Sequence, residues 1–428
     1  MGGIIGTGIF VNPSVVATRA HTVPLILASW LAGGAIALLG GFVFAELAAR
    51  RPRVGGLYAY MRDAFHPVVA FAYGWTALLV SQSGGMALAA ITFALYFNPL
   101  GIMHVPAIVS AVAILSLFSF INCLGVREGG FTQNLFMVLK IAVILALIVA
   151  GTVVKPNAGA ATMEASPAVG FGMLAMLGSA LIPVLYAYDG WQTASFMSGE
   201  LEQPRRTLAH GLVIGVLGVV ALYLAVAIVS LRVLGPAQLA ASSAPATDIM
   251  HVAGPAWEWV VAVGIDPSTL GFLSNQVLTS PRIYYAMAVD GDFFTALAWL
   301  HPKTRAPVVA IALQGVVAIV LTLSVAAFEA LRAGYQSILD GVTAIDFTFF
   351  CLAALAVFVF RARDGQDGRG VGVEVPGHPY TTALFGLISA GVVLYSAVAF
   401  PRDALPCLVV LASGAPAYYL WRRYGRAA

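Results

Sequence analysis

Charged residues are scarce in this chain. Aspartate, glutamate, lysine and arginine make up 10% of its 428 residues, whereas hydrophobic residues make up 60%. A soluble globular protein carries roughly 25% charged residues, so this composition excludes a water-facing surface over most of the chain. Apolar runs of about 20 residues recur from end to end, and that length crosses a bilayer as a helix. The sequence therefore predicts a polytopic helical membrane protein.

Cysteine and histidine are also few, and none is spaced as a metal ligand. The three cysteines Cys123, Cys351 and Cys407 lie in or beside apolar runs, and all seven histidines fall in predicted loops or near helix ends. This spacing predicts neither a metal site nor a cofactor. A Walker-type phosphate loop is lacking, which argues against a pump driven by ATP hydrolysis. Because the spans contain no nucleophile–base pair, an enzyme is not predicted either.

Glycine, in contrast, is concentrated at two points inside apolar runs. Residues 2–10 read GGIIGTGIF, and residues 186–191 read YAYDGW. Glycine weakens a helix because it has the most backbone freedom to lose. In lipid, the polar groups of an interrupted helix are tolerated only inside the protein or beside a polar cavity. Membrane helices also contain glycine without binding anything, but two breaks at equivalent places predict a site for a small polar ligand.

Apolar length, read against glycine, proline and charge, predicts twelve membrane spans. They cover residues 2–17, 24–49, 67–97, 105–122, 131–154, 171–198, 210–231, 257–289, 307–328, 338–360, 381–400 and 404–421. The breaks fall in spans 1 and 6, which predicts two five-helix units of opposite orientation. These units are residues 1–154 and 171–360, followed by two additional helices in residues 381–421. The expected fold is an all-α membrane protein with a 5+5 inverted repeat.

The basic residues predict how the spans are oriented. Of the 22 lysine and arginine residues, sixteen fall on the side of the loop between spans 2 and 3, five fall on the other side, and Lys140 lies within a span. Because loops on the cytoplasmic side are enriched in lysine and arginine, that side is predicted to be cytoplasmic. The expected location is the inner (cytoplasmic) membrane, with the C-terminus in the cytoplasm.

Five short motifs follow one another along the first three hundred residues or so. They are IIGTGIF at 4–10, PRVGGLYAY at 52–60, QNLFMVLK at 133–140, GELEQPRR at 199–206 and PRIYYAMA at 281–288. Together they resemble the amino acid–polyamine–organocation (APC) superfamily, and within it the bacterial L-type-like amino-acid permeases. The resemblance implies a secondary transporter that works by alternating access. Because family members carry about two helical turns before the first glycine pair, we expect the chain to start upstream of Met1.

The resemblance also implies that the two breaks hold the substrate. The N-terminal end of a half-helix suits a carboxylate, and free carbonyl groups suit an ammonium group. The N–H groups expected to bind the carboxylate, together with the Thr7 hydroxyl, are those of Gly6, Thr7 and Gly8. The carbonyl groups expected to bind the ammonium come from Ile4, Tyr186, Ala187 and Asp189, and Tyr188 completes the candidate set.

Lys140 lies about nine residues into predicted span 5, or about 14 Å along it. A lysine at that depth costs about 2.5–3.5 kcal/mol on insertion scales, so we expect it to face the interior with a partner. In sodium-coupled relatives of this fold a cation bridges spans 1 and 8. The resemblance implies that the Lys140 ammonium replaces that cation, near the carbonyl groups of residues 3–6, which argues against sodium dependence. A lysine with a purely structural, snorkelling role is the alternative.

Two interior carboxylates have open interpretations. Asp189 contacts the substrate ammonium, attracts a cationic side chain, stabilises the broken helix through backbone N–H groups, or pairs with Lys140. A buried carboxylate in any of these roles needs a partner or a proton. Asp346, in span 10, is either a proton-coupling residue or a packing residue.

The candidates for a gate are Glu46, Trp191 and Arg282. Glu46 lies at the end of span 2 and either is an ordinary interfacial carboxylate or forms a gate with Arg50, Arg53 or Arg282. Trp191 follows the second break and is a candidate gate or pocket wall. Aromatic residues in spans more often pack or anchor at the interface.

The predicted function is transport of neutral amino acids, by exchange (as an antiporter) or by proton symport, without sodium. A carrier of cationic amino acids or polyamines that uses Asp189 is one alternative. A non-transporting membrane sensor or degenerate paralogue is an alternative of another class. The expected partners are an amino acid and the lipid bilayer, with no nucleic acid. Since residues 98–104 contain no cysteine, we expect no disulfide to an accessory subunit of the kind found in animal L-type transporters.

Overall fold

The computed structural model describes residues 3–6, 8–97, 105–155, 171–200, 204–242, 244–327, 331–364 and 373–424. Thr7 and the loop 98–104 lie outside these residues, so their predicted roles stay predictions. Within the described residues, the regular elements are all helices. The α-helices are α1 (Gly8–Ala20), α2 (Val23–Arg50), α3 (Leu57–Ala64), α4 (Pro67–Thr76), α5 (Gln82–Phe97), α6 (Ala107–Leu124), α7 (Val126–Val153), α8 (Phe171–Tyr188), α9 (Pro204–Ala241), α10 (Pro245–Ala253), α11 (Pro255–Thr279), α12 (Pro281–Val289), α13 (Val308–Ala327), α14 (Leu331–Asp364), α15 (Tyr380–Ala399) and α16 (Pro401–Tyr424).

Many of these helices have the length and composition of membrane spans. Among the described residues, nine segments are long and apolar enough to cross a bilayer, and α13 contributes a shorter apolar segment at Val308–Ser324. Large apolar side chains such as Phe131 and Val398 are exposed on the outside of the bundle, where lipid replaces water as the solvent. The all-helical membrane fold is therefore confirmed, while the count of twelve spans and the inverted repeat stay predictions.

Several predicted boundaries differ from the structure. The first helix begins at Gly8 rather than at residue 2, because residues 3–6 form turns instead of helix. In the sixth predicted span, the α-helix ends at Tyr188, and a 3₁₀ helix, Trp191–Glu200, follows it. A loop was expected at 57–64, but α3 forms there with six of its eight residues buried. Burial against neighbouring helices stabilises this short element, which a window of average hydropathy does not detect.

Helices α1 and α8 are joined by side chains that satisfy the backbone around a proline. Pro183 lies inside α8 and cannot donate to the carbonyl of Ser179, four residues earlier. Arg19 of α1 donates to that carbonyl instead, with 3.1 Å between Nη1 and the oxygen. The Asn12 side chain donates to the Pro183 carbonyl at 2.7 Å. These two hydrogen bonds fix α1 beside α8 and thereby bring the two breaks close together.

The third predicted span is continuous but contains an irregular turn. A π-helical segment, Ala77–Ser81, joins α4 to α5. A π turn inserts one extra residue into the helix and is often found at functional sites. Here it lies immediately before Gln82, at the level of the breaks.

Candidate functional site

The break before α1 and the break after α8 touch each other through glycine backbones. Gly190 has a φ of +110°, a conformation that glycine adopts without strain. A methyl group built on Gly190 would overlap the carbonyl oxygen of Gly3, and one built on Gly3 would lie 2.8 Å from the Gly190 carbonyl oxygen. Glycine at both positions is therefore what allows the two breaks to meet.

Side chains from other helices fix this junction. The Thr193 hydroxyl donates to the Gly190 carbonyl at 2.8 Å, and the Asn275 amide of α11 donates to the Thr193 hydroxyl at 3.3 Å. The Tyr223 hydroxyl of α9 donates to the Ile4 carbonyl at 3.2 Å. Backbone carbonyls that the breaks release from helical bonding thus accept from the 3₁₀ helix and from α9, and α11 holds Thr193 in place.

A cavity of about 40 Å³ lies against this junction. That volume holds about three water molecules. The cavity is bounded by both breaks and by α5, α11 and α14. Its lining residues are Ile4, Gly6, Gly8, Ser81, Gln82, Gly85, Leu88, Ala89, Tyr186, Ala187, Asp189, Gly190, Gln192, Thr193, Phe272, Gln276, Val342 and Asp346. Six of the eight predicted substrate-site residues line the cavity, namely Ile4, Gly6, Gly8, Tyr186, Ala187 and Asp189.

The π turn supplies part of the polar wall. Ser81 and Gln82, at its end, both line the cavity. The Ser280 hydroxyl donates to Gln82 Oε1 at 2.7 Å, and Ser280 itself separates α11 from α12. Buried polar side chains of this kind are costly unless paired. The cavity wall thus combines these polar side chains with the backbone groups of the two breaks.

Lys140 is fully buried on α7, where its ammonium group donates to the Ile5 carbonyl at 2.6 Å. Gly271 of α11 lies beside it, since a Cβ built there would be 3.6 Å from Lys140 Nζ. The ammonium group therefore sits between the first break and α11. The direct Lys140–Asp189 pair considered above is not formed, because Asp189 makes its contacts elsewhere.

Asp189 faces the carboxyl group of Asp346 across the cavity wall. The two carboxyl groups lie within hydrogen-bonding reach of each other. Asp189 Oδ1 also accepts from the Gly190 N–H at 2.8 Å, which matches the expected backbone role. In the described part of the chain, neither carboxyl group contacts a cationic side chain.

Two residues proposed for the site point elsewhere. The Tyr188 hydroxyl donates to the Trp30 carbonyl at 3.4 Å, and its ring packs against Trp30 and Tyr223. The Trp191 ring packs on Phe350, with 5.1 Å between the ring centroids. Neither residue lines the cavity. The alternation of side chains around a helix end decides this, and residue identity alone does not reveal it.

Glu46 pairs with one of its expected partners and with two unexpected groups. Arg50 Nε lies 2.8 Å from its carboxylate, as anticipated. Arg361 of α14 binds both carboxylate oxygens at 2.7 Å, and the Val375 N–H donates to Oε2 at 2.7 Å. The other two candidates bind elsewhere: Arg282 donates to the Leu278 carbonyl, and Arg53 binds acidic residues. We call Glu46, Arg50, Arg361 and Asp364 the arginine cluster, because Asp364 joins it through Arg50 at 3.1 Å.

A second set of ion pairs lies at the same end of the bundle. Arg62 of α3 lies 2.6 Å from Asp290 and 3.1 Å from Asp292, and Arg53 lies 2.9 Å from Asp63. The Tyr58 hydroxyl donates to Asp292 at 3.2 Å. Burial and the neighbouring Asp292 raise the pKa of Tyr58, and burial also raises the pKa of Asp292. These contacts connect the loop after α2 to the loop after α12.

Comparison with known proteins identifies the family. The amino acid permease family profile matches residues 1–419. The chain belongs to the amino acid permease family. This confirms the resemblance to the APC superfamily, and it makes the protein a permease rather than an enzyme.

Named relatives of the permease are amino acid transporters. It is 27% identical to the b(0,+)-type amino acid transporter 1 of Rattus norvegicus over 431 residues, which is 99% of this chain and 86% of that protein. It is 28% identical to the serine/threonine exchanger SteT of Bacillus subtilis (strain 168), over 98% of this chain and 93% of that one. The large neutral amino acids transporter small subunit 2 of Rattus norvegicus is 25% identical over 98% of this chain and 78% of its own length.

Several cavity residues were not predicted from the sequence. The polar ones are Ser81, Gln82, Gln192, Thr193 and Gln276. A signal was present, because polar side chains inside membrane spans mark substrate pathways more often than they mark lipid-facing surface. Phe272 carries no such signal, since an aromatic residue in a span is indistinguishable from core packing before the fold is known.

Proposed function

We propose that this permease carries small neutral amino acids across the membrane by alternating access. The observation that carries the proposal is the junction of two helix breaks on one small cavity. A free amino acid presents a carboxylate and an ammonium group on adjacent atoms, and such a ligand needs donors and acceptors close together. The two breaks supply both kinds of backbone group within a single site.

The first N–H groups of α1 suit the carboxylate of the substrate. Gly6 and Gly8 line the cavity, and α1 begins at Gly8, so the N–H groups of its first turn have no partner within the helix. The helix dipole adds positive potential at this end. On the other side, the Ile4 carbonyl accepts from Tyr223 and keeps a second lone pair, which an ammonium group can use.

The size of the cavity favours small side chains. A volume of about 40 Å³ has room for about three water molecules, so the cavity must widen for any amino acid, and it must widen least for a small one. Phe272, Leu88 and Val342 form its apolar walls. Serine, threonine and alanine fit this space better than leucine or phenylalanine. The name of the relative SteT, a serine/threonine exchanger, supports the same substrate class.

Flux in proteoliposomes tests the function. Purified permease is reconstituted with internal unlabelled L-serine, and uptake of radiolabelled L-alanine, L-serine, L-threonine, L-leucine, L-phenylalanine and L-arginine is measured. We expect uptake of the three small amino acids to exceed that of leucine and phenylalanine at least tenfold. A folded, monodisperse sample that moves none of the panel would refute the proposal.

We also propose that transport is independent of sodium, because the Lys140 ammonium supplies a fixed cation beside the Ile5 carbonyl. Replacing sodium with choline should leave the flux unchanged. The variant Lys140→Met should lose transport at least tenfold, because the Ile5 carbonyl loses its charged donor. Lys155→Met is the matched control, since Lys155 is exposed two residues beyond the end of the same helix. Flux that requires sodium would contradict this proposal while leaving amino acid transport intact.

Cationic amino acids or polyamines are a second candidate substrate class. Asp189 and Asp346 both line the cavity, and their carboxyl groups would attract a cationic side chain. Comparing arginine and alanine uptake in Asp189→Asn separates the two classes. Loss of arginine uptake alone would support the cationic class, whereas unchanged arginine uptake would remove it.

The end of the bundle that carries the arginine cluster is proposed to face the cytoplasm of the inner membrane, with the C-terminus on the same side. The preponderance of basic loops at that end supports this orientation. A C-terminal fluorescent-protein fusion should fluoresce, and an alkaline phosphatase fusion at the same point should be inactive. The opposite pair of results would reverse the orientation.

A further inference from the structure

The strongest unexplained feature of the cavity is the contact between Asp189 and Asp346. One carboxyl group follows the end of α8, the other lies on α14, and both line the cavity. They lie within hydrogen-bonding reach of each other. Asp346 is 5% exposed, and Asp189 is half-buried. Two carboxylates this close in a poorly solvated place repel each other, and a shared proton would remove that repulsion.

The surroundings of the pair contain no competing charge in the described part of the chain. Two tyrosines lie near the pair: Tyr73 on α4 interacts electrostatically with both carboxyl groups, and Tyr186 of α8 lines the same cavity. Tyrosine hydroxyl groups stay neutral at ordinary pH. From the second break, the Gly190 N–H donates to Asp189 Oδ1, and Gln192 also contacts Asp189. The cation of Lys140 faces the Ile5 carbonyl rather than the pair.

A proton suits this arrangement better than a cationic side chain does. Because the two carboxyl groups already contact each other, an ammonium or guanidinium group would have to separate them to bind both. A proton occupies the space between two oxygen atoms without moving either. The pair also joins the second break to α14, so its charge bears directly on closure of the cavity.

We propose that Asp189 and Asp346 together form the proton-coupling site of this permease. This inference rests on the proposed amino acid transport and adds its coupling ion. Water on the open side of the cavity delivers a proton to a carboxylate oxygen, forming one O–H bond. The same O–H bond breaks when the cavity opens on the other side, and the proton returns to water there. The amino acid itself crosses chemically unchanged.

Charge repulsion explains how the proton is coupled to movement. A pair without a proton carries two negative charges at contact distance in a closed, poorly solvated site, which is strongly unfavourable. Protonation removes that repulsion and allows the cavity to close. The loaded permease therefore closes with a proton on the pair, and the proton and the amino acid move in the same direction.

The experiment measures proton movement and amino acid movement in the same vesicles. Liposomes containing the full-length permease enclose a pH-sensitive fluorescent dye, and L-serine or L-alanine is added outside. The wild type should acidify the lumen during net uptake. In Asp346→Asn, the number of protons that enter per serine taken up should fall at least tenfold, and this ratio is measured at the serine flux that the variant retains. Thr348→Val, two residues along α14 and hydrogen-bonded to its own helix, is the control and should behave as the wild type.

A second comparison uses the pair as a unit. Asp189→Asn, Asp346→Asn and the double variant should show the same loss of acidification, since removing either partner already removes the shared site. Accumulation driven by a pH gradient in Asp346→Asn at the wild-type level would overturn the inference. Amino acid exchange by the wild type without any acidification would also overturn it and leave the transport function standing. Absence of all amino acid flux in the wild type would overturn both.

Discussion

The cavity and the arginine cluster each contain a buried carboxyl group, Asp346 and Glu46, but the two groups have different kinds of partner. In the arginine cluster, the Glu46 carboxylate is matched by two guanidinium groups and a backbone N–H at 2.7–2.8 Å. In the cavity, Asp189 and Asp346 lie near each other, and neither pairs with a cationic side chain among the described residues. One region is complete without a ligand, and the other is not.

This difference separates a structural role from a functional one. A buried charge with a full set of partners stabilises one arrangement of its helices, here α2, α14 and the segment that contains Val375. A buried carboxyl group without a counter-ion can bind a proton or a substrate. Removing a partner from the first region should therefore reduce stability, and changing the second region should reduce transport.

The largest expected loss of stability follows from Glu46→Ala. Buried Arg50 keeps only Asp364 as an ion-pair partner, and Arg361 loses both of its hydrogen bonds to Glu46. Removing one partner of a buried ion pair typically costs about 3–5 kcal/mol. The free energy of unfolding, measured by detergent-denaturant titration of the purified permease, should fall by about that amount. Glu374→Ala is the matched control: Glu374 is 3.9 Å from Arg361 and 54% exposed, so it should change stability by less than about 1 kcal/mol. Equal losses in the two variants would contradict the structural role of the arginine cluster.

Gly190→Ala should abolish transport and also reduce stability. Its methyl group would overlap the Gly3 carbonyl oxygen, and its φ of +110° disfavours any side chain. The strain of a positive φ costs about 1–2 kcal/mol, and separation of the two breaks adds to it. Gly254→Ala measures the backbone strain alone, because Gly254 has a φ of +116° and nothing lies within 4 Å of the added methyl group. Serine uptake equal in the two variants would argue against the junction of the breaks.

The smallest expected effect belongs to Asp292→Asn, at the rim of the same end as the arginine cluster. Burial raises the pKa of Asp292 despite the nearby Arg62, so its ionised form destabilises the folded protein at neutral pH. Loss of the partly exposed ion pair offsets that gain, and the net change at pH 7.5 should be below about 1 kcal/mol. As the pH falls through the raised pKa, the wild type gains stability relative to the variant. Thermal unfolding of both proteins from pH 7.5 to pH 4 measures this. A melting temperature of the wild type that does not rise relative to that of the variant on acidification would contradict it.

Features that depend on local composition were predictable from the sequence. Apolar runs located the membrane helices because lipid demands about 20 apolar residues in a row. Glycine located both breaks because it weakens a helix, and an interrupted helix is tolerated in lipid only inside the protein or beside a polar cavity. Lys140 was recognisable as an interior residue from its depth in a span, and in the structure it contacts the Ile5 carbonyl, within the segment named for it.

Features that depend on neighbours in space were not predictable. Nothing in the sequence distinguishes Arg361 from other arginines as the partner of Glu46, because they are 315 residues apart. Tyr188 follows two residues of the site, yet its ring packs against Trp30 and Tyr223. The π turn at Ala77–Ser81 has no composition of its own, so the placement of Ser81 and Gln82 was missed.

The sequence by itself determined that this protein is a helical membrane permease whose first and sixth predicted spans are interrupted, because lipid imposes strict rules on length, polarity and backbone bonding. Only the tertiary structure decided which polar groups meet. It placed Gly3 against Gly190, Lys140 against Ile5, and Asp189 against Asp346. These contacts join segments far apart in the chain, and their energies depend on the distance between atoms rather than on the order of residues.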